Sequence, residues 1–161
     1  MRCVTDANVW IDLDHGGLLG RAFELGDELA VPDLVLRDEL LTVDGGLLVR
    51  LGLRVAGLSG DQLVAVSGLS RLYPRPSVRD LASLVLARDS GGVLLTGDGA
   101  LRSAAAAEGV EVHGVLWVLD RLVAEVGLSP GEAARSLQLI VRGGAWLPRR
   151  EVARRLSEWS V

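Results

Sequence analysis

The sequence predicts an α/β fold: a parallel sheet of about five strands with helices on both faces, followed by a C-terminal helical extension. Three observations predict it. Short apolar runs alternate with longer stretches of helical period, the order in which crossovers build a parallel sheet. Polar caps mark the starts of several helices. Finally, 161 residues at 49% apolar content suit one domain that buries about 70% of the surface exposed by its unfolded chain.

The elements follow in chain order. Residues 3–5 are the first strand, and Asp6 after it reads as a cap for a short turn opening at Ala7. Residues 29–31 are the second strand, with Asp33 capping a helix expected over residues 34–41. Residues 53–55 are the third. Ser59 with Gln62 then forms a capping box ahead of Leu63, Val66 and Leu69. Ser77 with Asp80 is a similar pattern ahead of Leu81, Ala82 and Val85, and leads to the fourth strand at residues 93–96. The alanine-rich stretch 99–108 is helical by propensity, and residues 110–112 are the fifth strand. Ser129, Pro130 and Glu132 place a capping serine, a first-turn proline and an N3 glutamate in register. The tail then reads as two helices, broken at Gly143-Gly144 and restarted near Pro148, with Val152, Leu156 and Trp159 on one apolar stripe.

Composition excludes several functions. No apolar run approaches the roughly 18 residues of a membrane span. Asp6 comes too early for a secretory signal, so the expected location is cytoplasmic, away from membranes. One cysteine cannot build an internal disulfide or a multi-thiolate metal site. All 17 basic residues are arginine, which removes Schiff-base lysine chemistry and the lysine of a Walker phosphate loop. Charge is uneven along the chain. Residues 1–132 carry 11 Arg against 19 acids, a net of −8, and residues 133–161 carry 6 Arg against 2 acids, a net of +4. An acidic body with a basic tail suits a metal at one place and a phosphate backbone at another. A solvated helix face docked on the body is the plainer reading of Arg149, Arg150, Arg154 and Arg155. The six aromatic residues form no evident stacking platform for bases.

In an open parallel sheet, ligands bind beyond the carboxyl ends of the strands, where strand order reverses. Asp6 and Asp98 follow the first and fourth strands, and share one crevice if those strands are neighbours. Asp80 opens the helix that feeds the fourth strand. Glu39, after the second strand, completes a possible group of four. Like charges raise one another's pKa, so such a group calls for a hard divalent cation. Each acid also has a local alternative. Asp6 and Asp98 serve as N-caps, Asp80 as the partner of Ser77, and Glu39 as a solvated helix acid. His113 reads as an ordinary strand-end residue.

The order of these segments resembles the PIN-domain nucleases, and among them the small prokaryotic ribonucleases of VapC type. Thr5-Asp6-Ala7-Asn8 is similar to the family's opening strand and D-x-N turn. The stretch from Pro32 to Leu40 looks like the segment that brings in a second acid. Asp80 to Ala87 looks like its D-x-x-x-x-x-x-A helix, and Leu94-Leu95-Thr96-Gly97-Asp98 is similar to its L-x-T-x-D strand end. The resemblance covers about residues 1–125, taken as a PIN-like nuclease core. Residues 126–161 are then a helical extension packed on the core or on a partner.

The resemblance implies a metal-dependent endoribonuclease in which metal-activated water hydrolyses the RNA phosphodiester. Asp6, Glu39, Asp80 and Asp98 would bind one or two Mg²⁺ or Mn²⁺ ions. Glu39 is preferred to its neighbour Asp38 as the second acid. Asn8 would orient Asp6 or a metal-bound water, and Thr96 would support Asp98 by hydrogen bonding. It further implies an RNA substrate, a homodimer and, for a toxin of a toxin–antitoxin pair, a cognate antitoxin protein. Two alternatives stand beside it: a catalytically inert PIN-like module that binds protein or RNA, and a metal-dependent phosphatase acting on small phosphate esters.

Overall fold

In the computed structural model, which describes residues 1–38, 40 and 42–160, five strands pair in parallel throughout. They are β1 (Arg2–Thr5), β2 (Glu28–Pro32), β3 (Arg54–Ala56), β4 (Val93–Leu95) and β5 (Val112–His113), in the order β3-β2-β1-β4-β5. Strand order reverses between β1 and β4, which pair in the register Thr5 to Leu95. The reversal point expected from the sequence therefore falls between the strand ends that Asp6 and Asp98 follow.

Period-two alternation along the strands feeds two cores, one on each face of the sheet. Cys3, Leu29, Val31, Val93 and Leu95 point to one face. There they meet α1 (Ala7–His15), α2 (Leu19–Phe23), α8 (Val115–Glu125) and α9 (Pro130–Arg142). Val4 and Leu94 point to the other, against α5 (Gly60–Leu72), α6 (Val78–Ser90) and α7 (Gly99–Ala107). Two short helices, α3 (Asp33–Asp38) and α4 (Gly45–Leu51), lie between β2 and β3 in the chain. α10 (Arg149–Trp159) packs on α9 and inserts Trp159 into the first core.

The three capping boxes are present, at Ser59 with Gln62, Ser77 with Asp80, and Ser129 with Glu132. Four expectations need correction. The helix expected over residues 34–41 starts at Asp33 and is not helical at Leu40. The Leu40 N–H reaches back five residues to the Val35 carbonyl and closes a wider turn. Glu39 and Leu41 lie outside the described residues. The short turn at Ala7 is a nine-residue helix, α1. The fifth strand begins later, because Val110 closes the end of α7 by donating to the Ala105 carbonyl. The tail arginines are not all solvated: Arg155 is 7% exposed and bridges Asp120 of α8 (2.5 and 2.8 Å) and Glu151. Among the described residues, no helix is long and apolar enough to cross a membrane.

Candidate active site

Asp6 leaves the carboxyl end of β1 and caps α1, its Oδ1 accepting the Val9 N–H at 3.1 Å. Its Oδ2 accepts the hydroxyl of Thr96, which follows β4 and is fully buried. The same Thr96 oxygen accepts the Asp98 N–H at 3.0 Å, and Asp98 in turn caps α7 through the Leu101 N–H at 2.8 Å. One hydroxyl thus joins two aspartates on neighbouring strand ends. Thr96, expected to support Asp98, supports Asp6 as well.

Burial above all, with a smaller contribution from the charges of Asp80 and Asp12, raises the Asp6 carboxyl to about 7. The bonds from Thr96 and Val9 pull the other way without overcoming burial. Asp80 sits in the first turn of α6, bonded to Ser77, and α6 packs against β1, β2 and β4. Asp6, Asp80 and Asp98 therefore all occupy their capping positions. Capping leaves lone pairs free, since a carboxylate offers about four acceptor sites.

Asp38 is held differently. Arg37 and Arg79 both bond to it, and they keep its carboxyl below the usual range. A carboxylate neutralised by two guanidinium groups is a poor candidate for a cation site, and Glu39 is outside the described residues. Among the described residues, no three His, Cys, Asp or Glu side chains already form a group that could hold a metal ion. The donor chemistry nonetheless fits a hard cation. All the donors are carboxylate oxygens, and the buried Asp6 charge is opposed by two neighbouring carboxylates.

An open groove of about 1030 Å³ passes this edge. Asn8 and Asp98 line it, whereas Asp6, joined to Asp98 through Thr96, and Asp80 are not part of its lining. Asp12 also lines it, on the same face of α1 as Asn8 and four residues on. Burial pushes the Asp12 carboxyl up to about 6. Nothing in a presumed short turn pointed to Asp12; in a helix, the Asn8–Asp12 spacing is the signal that finds it. Arg102 reaches from α7 to the Thr96 carbonyl at 2.9 Å. Further along the groove the His113 ring stacks on Trp117, with centroids 4.2 Å apart, and Arg121 lies over the Trp117 ring. The linker from Gly143 to Pro148 also lines it.

A family model described as PIN domain matches residues 2–161. Among solved structures, a PilT N-terminus domain protein from the hyperthermophilic archaeon Sulfolobus solfataricus P2 is similar in fold. It is 13% identical with a TM-score of 0.56, and the match covers 76% of this chain and 94% of that one. At that identity the likeness bears on the fold alone. No curated protein matches the chain.

Proposed function

This chain belongs to the PIN-domain family, and on that premise we propose that it is a Mg²⁺- or Mn²⁺-dependent endoribonuclease of VapC type. PIN domains are generally nucleases and generally depend on a divalent metal. The observation that supports this reading most is the bridge from Asp6 through Thr96 to Asp98 at the reversal of strand order, beside an open groove. Desolvating a carboxylate among other carboxylates is unfavourable, and such arrangements concentrate where function requires them.

Asp6, Asp80 and Asp98, together with Glu39, would hold the cation, whose charge polarises a phosphoryl oxygen and lowers the pKa of water. The chain's own groups position the rest. Thr96 fixes the Asp6 carboxylate by donating to it and fixes Asp98 by accepting its N–H. Asn8 presents a neutral amide at the groove, a donor for a phosphate oxygen that adds no further negative charge. The reading carries with it a cytoplasmic toxin acting as a homodimer, and an antitoxin whose basic segment enters the acid-lined groove.

Calorimetric titration with Mn²⁺ tests it, comparing the wild type with the Asp6→Asn, Asp98→Asn double variant. Binding that the double variant loses is the expected result. A folded wild type that binds no Mn²⁺ returns these aspartates to helix capping and puts the inert module first.

A further inference from the structure

We propose that Trp146, with Arg142, Arg149 and Arg150, forms a landing platform for single-stranded RNA at the edge of the groove, one unpaired base stacking on the indole. The identity of the ligand rests on the ribonuclease reading; the existence of the platform rests on the linker itself.

Trp146 is 88% exposed, and its position is built by its neighbours. At Gly143 an added Cβ would lie 2.2 Å from His15 Nδ1, so the linker backbone lies directly against the end of α1. Gly144 has φ +101°, a conformation that residues with a side chain rarely adopt. Ala145 and Leu147 then turn inward onto the first core. This alternation leaves the indole between them facing out over the groove. A large aromatic displayed on a braced segment at a groove mouth suits a flat ligand, and every base has a π-face.

The surrounding charge matches a phosphate backbone. Arg142, Arg149 and Arg150 are exposed, and the described residues offer them no ion pair or hydrogen bond. Arg154 and Arg155 on the same helix are paired with Glu151, Glu158 and Asp120. Among the described residues, Arg142, Arg149 and Arg150 thus stand unpaired on either side of Trp146, as Arg71, Arg75 and Arg135 do elsewhere on the surface. The groove also carries four acids, Asp12, Asp98, Asp120 and Glu151, of which Asp120 and Glu151 are paired with Arg155. For a strand anchored by the arginines and the indole, a cation bound beside Asp98 would offset part of the remaining acidic charge. Continuity with this groove favours RNA over a membrane or protein surface for the tryptophan.

Fluorescence anisotropy of labelled single-stranded oligouridylate and oligoadenylate, in EDTA at low ionic strength, separates binding from cleavage. Trp146→Ala is expected to weaken binding about 5- to 100-fold, with Trp146→Phe staying near wild type. The Arg142→Gln, Arg149→Gln, Arg150→Gln variant is expected to lower the salt slope by about two. Wild-type affinity in Trp146→Ala overturns the platform, as does a wild type that binds neither homopolymer. Its failure with Mn²⁺ binding intact leaves the nuclease reading standing. Loss of the metal with Trp146-dependent binding intact does the reverse.

Discussion

Asp6 meets two demands that pull in opposite directions. As a cap it satisfies the Val9 N–H, and as a buried anion among other acids it is destabilising. Its carboxyl rises from an ordinary value of 3.8 to about 7 in the folded chain. Between those values the folded state holds a proton that the unfolded state has lost, so Asp6 favours folding below about pH 4. That contribution is lost as the pH climbs through 7. Asn caps about as well as Asp and carries no charge. Asp6→Asn is therefore expected to stabilise the metal-free protein at pH 8 by of order 2–4 kcal/mol, and by little at pH 4. Urea unfolding at the two pH values checks it, and an equal effect at both would remove burial of charge as the cause. Asp6 and Asp98 could be named in advance because strand ends mark themselves by short apolar runs, and Thr96 because Leu94 to Asp98 resembles a family motif. Trp146 could not, because its exposure depends on Ala145 and Leu147 turning inward, which no local pattern records.

Among the elements, those with a polar cap were easy to place and those shaped by tertiary contacts were not. Ser59, Ser77 and Ser129 each open a helix where expected, since a capping box is a local hydrogen-bond exchange. α8 has Gly114 at its cap position with no side-chain bond, and no cap announced it. The end of α3 depends on Leu40, a buried residue drawn into the core. The join between α9 and α10 is set by the contact of Gly143 with the His15 ring. Gly143→Ala is expected to destabilise by about 1–3 kcal/mol, the usual cost of overpacking. His15→Ala in the same chain is expected to restore most of it. A double-mutant cycle by chemical denaturation measures the coupling, and independent effects would show that the linker is not braced there.

At the scale of the whole molecule, the parallel topology was readable from the alternation of apolar runs and helices, the order that crossovers leave in the chain. The described acids occupy capping positions without forming a closed group, so a bound cation has to contribute binding energy of its own. Mn²⁺ at a hundred times its Kd stabilises a native state by about 2.7 kcal/mol, which for a chain of this size raises Tm by roughly 5–10 °C. The wild type is expected to show that rise, and the Asp6→Asn, Asp98→Asn variant is not. The pairing of β1 with β4 has a consequence for how the protein is made. Asp6 and Thr96 are ninety positions apart, and contacts so distant in sequence form late in folding. A growing chain carries Asp6 and its local partner Val9 from the start but lacks Thr96 until the fourth strand has been synthesised. The ribosome that makes this protein thus handles a chain with this bridge unassembled for more than half of its length. Any nuclease activity begins only when the late strand docks beside the early one.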